Sequence, residues 1–115
     1  MPVAHQEGKF IAAKKILKKL NNKKLIICKY VNNYGSPAKK QFPYNPNGSV
    51  EDIAAVTNLK GNVLAMMPHP ERALHFLQKP DWISRKGKIG SKLPYKSELY
   101  ADGYKIFQNA YNYFK

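Results

Sequence analysis

Between Met66 and Arg72 the chain reads Met-Met-Pro-His-Pro-Glu-Arg. His69 and Glu71 are the side chains of this stretch suited to acid–base chemistry, and two prolines hold them. Each proline fixes its own φ, and Pro70 also pushes the residue before it out of the helical region. His69 is therefore expected to be extended. In an extended chain, side chains two apart point the same way, so the Glu71 carboxylate can reach one ring nitrogen and turn the other toward a group to be deprotonated. A histidine held in one tautomer by a carboxylate is the base-and-orienter pair that activates a serine or cysteine nucleophile. A bare H-x-E is also met as a surface ion pair with no catalytic task, so its surroundings must decide.

Other candidates for chemistry are few. His5 and Glu7 repeat the same spacing and read either as residues lining a cleft or partner interface, or as local structural hydrogen bonds. Cys28 is the single cysteine; it cannot form an internal disulfide, and in the middle of an apolar run it reads as a small core hydrophobe and not as a nucleophile. Three histidines and one thiol offer no zinc-like spacing. No apolar run approaches the roughly 18 residues of a membrane span, and no secretory signal is apparent. The reading is a soluble, cytoplasmic chain with no bound cofactor or metal. The formal charge of +13 raises nucleic acid as a partner. However, Arg72 and Arg85 are the only arginines among the twenty basic residues, so the forks suited to phosphates and bases are scarce. Nucleic-acid binding is disfavoured as the main function.

The elements that must position His69 and Glu71 follow from pattern. With 115 residues the chain can bury one modest core, as one domain or part of one. "EGKFIAAKKILKKLNN" places Phe10, Ala13, Leu17 and Leu20 at helical spacing, with lysines on the remaining surface. "KLIICKYVNNYG" reads as a buried strand entering a turn. "SPAKKQFPYNPNGS" is a proline-rich loop. "IAAVTN" and "NVLAMM" flank Leu59-Lys60-Gly61 and predict a β-hairpin that ends at Pro68 and delivers His69. The stretch from Leu77 to Lys96 is irregular and basic, with Trp82 expected to anchor it by packing. Tyr100, Tyr104, Phe107, Tyr111 and Phe114 recur at helical intervals and predict a C-terminal helix docking an aromatic stripe on the core.

Four stretches, "PVAHQEGKF", "NPNGS" followed by "IAAVTN", "GNVLAMMPHPER" and "DGYKIFQNA", resemble in that order the C-terminal half of the glutaminase subunits of phosphoribosylformylglycinamidine synthases, a class I glutamine amidotransferase family. The resemblance spans almost the whole chain. Gln6 stands where the family usually has glycine, and Lys9 where it has arginine. The resemblance implies an α/β fold, namely the C-terminal half of a flavodoxin-like domain with a mostly parallel sheet, a hairpin and flanking helices. It also implies that His69 is the general base and Glu71 its orienting carboxylate in a Cys-His-Glu triad that hydrolyses glutamine through a cysteinyl thioester and releases ammonia.

The family's nucleophile sits on a G-x-C-x-G-x-Q elbow, which does not occur in these residues. Residues 1–115 are thus expected to be a partial domain, inactive alone, whose partners are a cysteine-bearing N-terminal half and a synthetase subunit. That synthetase would use ATP and magnesium to turn formylglycinamide ribonucleotide into the amidine in purine synthesis. Other readings remain open: another class I amidotransferase sharing His-Pro-Glu, a basic nucleic-acid-binding module, or a non-catalytic scaffold.

Overall fold

The computed structural model describes residues 1–4, 8–84 and 100–115; His5, Glu7, Arg85 and most of the basic segment before Lys96 lie outside the described residues. In chain order the elements are α1 (Lys14–Asn22), β1 (Ile26–Lys29), β2 (Ile53–Thr57), β3 (Leu64–Met66) and α2 (Asp102–Phe114), with short 3-10 turns at Val50–Asp52, Pro70–Ala73 and Phe76–Gln78. They divide into two compact units, one of Val3–Pro68 and one of Met1–Pro2 with His69–Lys115. No helix among the described residues is long and apolar enough to cross a membrane.

The Val3–Pro68 unit is built on a three-stranded antiparallel sheet in the order β1-β2-β3. The predicted hairpin is present, with Ala55 opposite Met66, Val56 opposite Ala65 and Thr57 opposite Leu64. Asn58 closes its turn: the side-chain oxygen accepts the N–H groups of Asn62 (3.1 Å) and Val63 (3.2 Å), and Gly61 takes the positive φ of +69° that the tight return requires. β2 is the central strand, and Ile53, Ala54 and Ala55 are buried. The α/β class is seen in this mixture of helices and strands. The parallel pairing expected of the sheet is not found among the described residues: β1 and β2 are joined by a loop that holds one short 3-10 turn and no α-helix, and they run antiparallel, whereas parallel neighbours need a long crossover, usually helical.

β1 itself departs from expectation. It is an edge strand with Ile27 52% exposed and Cys28 also exposed, so Cys28 is not the core hydrophobe its apolar neighbours suggested. The predicted helix also starts later, at Lys14. Phe10 is drawn out of it because its N–H donates to Ser49 Oγ (3.0 Å) and its carbonyl accepts the Val50 N–H (3.0 Å). Within α1 no residue is buried; Leu17 and Leu20 are half-buried.

The proline-rich loop packs Ala38 and Tyr44 into an apolar cluster with Tyr30 and Ala54, and polar groups order the rest of it. Asp52 is buried, and its carboxylate accepts hydrogen bonds from the N–H groups of Lys39 (2.7 Å) and Lys40 (2.8 Å) and from Asn45 Nδ2 (2.8 Å). Lys39 and Lys40 both have positive φ, a conformation that points successive N–H groups into one concavity and favours an anion there. Burial on its own would raise the Asp52 pKa, but these N–H donors, with Lys29 nearby, bring it below the ordinary carboxylate range.

A carboxylate whose folded pKa is depressed stabilises the fold above the unfolded value of about 3.9, and that contribution is lost as pH falls through the lower folded value. Asp52→Asn should cost about 1–3 kcal/mol in urea unfolding at neutral pH, the usual penalty for leaving a buried donor unmatched. The variant and the parent should converge in acid. Equal stability at neutral pH would contradict this role.

Candidate active site

His69 lies three residues beyond β3. Its backbone is extended, with φ −89° and ψ 98°, as the flanking prolines require, and its N–H donates to the Pro2 carbonyl (2.9 Å). Pro70 then opens the 3-10 turn Pro70–Ala73, a position where the missing proline N–H would have had no partner in any case. The Arg72 N–H closes back on the His69 carbonyl (3.2 Å). Glu71 is thus carried on a turn. The pair predicted from the pleat of an extended chain is present, but the turn is what brings the two side chains together.

His69 Nδ1 and Glu71 Oε1 are 2.5 Å apart. The hydrogen bond from His69 leads the influences that hold the Glu71 pKa below its ordinary value. An ionised carboxylate can only accept, so Nδ1 carries the proton in the neutral ring, and Nε2 is the basic nitrogen. The His69 side chain is 32% exposed and that of Glu71 52%. The arrangement is a part-exposed imidazole whose Nδ1 is held against an exposed carboxylate.

Two residues that support the turn were not singled out from the sequence. A Cβ on Gly103 would lie 2.1 Å from the Pro70 carbonyl oxygen and 2.8 Å from that of Ala73; the first turn of α2 therefore meets the backbone of the Glu71 turn directly. The Ala101 N–H adds a hydrogen bond to the Leu74 carbonyl (2.8 Å), and Lys79 pairs with Asp102 (3.7 Å). Gln78 is the second: its side-chain amide bonds the backbone at Glu71, Leu74 and His75. The Asp-Gly of "DGYKIFQNA" was the available signal for Gly103, and nothing local marks Gln78.

The rest of α2 corrects the expectation of an aromatic stripe in the core. Ala101 and Gly103 are buried, whereas Phe107, Tyr111 and Phe114 are 46%, 66% and 69% exposed. Only the start of the helix finds a surface to cover among the described residues. Tyr100 and Tyr104 stack on each other with ring centroids 4.0 Å apart, and Trp82 is half-buried. The unit carrying His69 contains no cysteine, since Cys28 belongs to the Val3–Pro68 unit.

Residues 1–114 match the CobB/CobQ-like glutamine amidotransferase domain, and the chain belongs to this family. Among named relatives, the phosphoribosylformylglycinamidine synthase subunit PurQ of Methanococcus maripaludis is 36% identical over 117 aligned residues, covering 99% of this chain and 42% of the relative. The PurQ subunit of Thermus thermophilus is 46% identical over 74 residues, 64% of this chain and 30% of the relative. That of Prochlorococcus marinus is 51% identical over 73 residues, 64% of this chain and 28% of the relative. The chain thus spans less than half the length of these relatives.

Gly103→Ala should destabilise the protein by about 1–3 kcal/mol, the range for overpacking a close contact, and should shift the backbone NMR resonances of His69 and Glu71. A stable variant with those resonances unmoved would show that the helix does not set the turn.

Proposed function

We propose that this chain is the base-bearing C-terminal part of a glutamine amidotransferase that serves phosphoribosylformylglycinamidine synthase. His69 is the general base and Glu71 the carboxylate that orients it. The observation that carries the reading is the 2.5 Å contact between His69 Nδ1 and Glu71 Oε1, which leaves Nε2 as the basic nitrogen; family membership and the PurQ names of the relatives support it.

In the proposed reaction His69 Nε2 takes the thiol proton of a cysteine supplied from outside residues 1–115. The sulfur attacks the side-chain amide carbon of glutamine, and ammonia departs with the proton that His69 returns. The resulting thioester is cleaved by a water that His69 deprotonates, giving glutamate and restoring the thiol. Ionised Glu71 keeps the ring in the required tautomer and stabilises the imidazolium formed in each step. A glutaminase lacking its thiol has nothing to deprotonate, so the isolated chain is proposed to be inactive.

In the same proposal the described strands form one side of a larger flavodoxin-like, mostly parallel sheet, to which a cysteine-bearing half contributes the remainder, so that residues 1–115 are a partial domain. Ammonia passes to a synthetase partner, and ATP and magnesium act there; this chain holds no cofactor. His5 and Glu7 are proposed to border the glutamine cleft or the partner interface.

In the protein reconstituted with its cysteine-bearing portion and synthetase partner, His69→Ala should lower glutamine-dependent synthesis by at least about 100-fold, the lower range for removing a general base. Synthesis from added ammonium should persist. Loss of both activities, or of neither, would contradict the assignment.

A further inference from the structure

We propose that Gln78 is a positioning residue for the His69–Glu71 pair, a role that rests on reading that pair as base and orienting carboxylate. Its amide reaches three backbone groups of the segment that carries Glu71. Oε1 accepts the N–H of Leu74 at 2.8 Å and that of His75 at 2.9 Å, while Nε2 donates to the Glu71 carbonyl at 3.3 Å. A turn of four residues makes few internal bonds and leaves its end groups unmatched. Gln78 satisfies groups on both sides of that end at once.

The geometry adds a constraint that solvent would not. These backbone groups lie near the surface, where water could satisfy each of them singly. The carboxamide is planar, and its oxygen and nitrogen are a fixed distance apart, so the Glu71 carbonyl is held at a set separation from the N–H groups that follow. That limits rotation of the Glu71 peptide and therefore the direction in which the carboxylate leaves the chain. Gln78 is itself anchored: it closes the 3-10 turn Phe76–Gln78, its N–H donates to the His75 carbonyl (3.0 Å), and the neighbouring Phe76 is buried. The order of influence runs from Phe76 through the Gln78 amide to the Glu71 backbone, and from its carboxylate to His69 Nδ1. Gln78 acts through Glu71.

The test is the tautomer of the His69 ring, read from its 15N ring resonances in the histidine-labelled full chain at alkaline pH, where imidazole is neutral. Signals are assigned by their loss in His69→Gln. The parent should favour the Nδ1–H form. Gln78→Met, which keeps the length but none of the bonds, should lower that preference about two- to tenfold, the factor carried by one ordinary hydrogen bond. Gln78→Glu keeps the accepting oxygens and loses the donor to the Glu71 carbonyl; it should move the ratio the same way and decides the matter if Gln78→Met does not fold. Glu71→Leu, which removes the accepting oxygens, separates the two claims. If it changes the His69 ratio while the folded Gln78 variants keep that of the parent, the role of Gln78 is overturned and the pair stands. If Glu71→Leu also leaves the ratio unchanged, the pair itself is overturned, and the role of Gln78 with it.

Discussion

The candidate site depends on one close backbone contact: the first turn of α2 against the carbonyls of the Pro70–Ala73 turn, at a place where a methyl group on Gly103 would sit 2.1 Å from the Pro70 oxygen. A short turn has little stability of its own, because it makes few hydrogen bonds for the residues it orders. The helix supplies a closely packed backbone surface, and its N-terminal end carries the partial positive charge that suits nearby carbonyl oxygens. His69 and Glu71 are therefore held by backbone on two sides. The prolines restrict the chain from within, and α2 restricts it from without. A pair made in this way needs no buried side chains of its own, which is consistent with both groups being partly exposed.

The Val3–Pro68 unit is organised by a different interaction. Its proline-rich loop adds the buried polar groups Asn45, Ser49 and Asp52 to the apolar packing of Ala38 and Tyr44 with Tyr30 and Ala54. The stretch Asn45-Pro46-Asn47-Gly48-Ser49, which contributes so much to the family resemblance, is a structural lock. Asn45 bridges Ser49 and Asp52, Asn47 reaches the Gly8 carbonyl, and Ser49 accepts the Phe10 N–H. Such a network is all-or-none in character, because each buried member left without a partner carries a desolvation penalty. Hydrogen-bonding geometry within the unit accounts for its residue types.

What could be read in advance follows the range of the forces involved. Pro-His-Pro-Glu acts within a few residues, so the extended His69 and its contact with Glu71 were legible, although a turn and not a pleated strand completes that contact. The β2–β3 hairpin and the position of α2 came likewise from local pattern. The start of α1 did not, because Phe10 is captured by Ser49 and Val50, far along the chain. The apolar character of β1 and the aromatic stripe of α2 suggested burial, but periodicity marks a face and not what covers it. Gly103 and Gln78 were missed for a related reason: both act on the backbone of residues distant from or outside their own pattern. The lysine-rich composition, in turn, says little about the site, where Arg72 is the basic neighbour acting on Glu71 beside His69.

The most direct measurement is the pH titration of the Glu71 carboxyl carbon by 13C NMR in the full chain, with and without the imidazole. If the ring at His69 is bound to this carboxylate, the parent midpoint lies below the ordinary glutamate range and returns to that range in His69→Ala. A Glu71 that titrates in the ordinary range, with a midpoint indifferent to the loss of His69, would contradict the pairing on which the functional account is built.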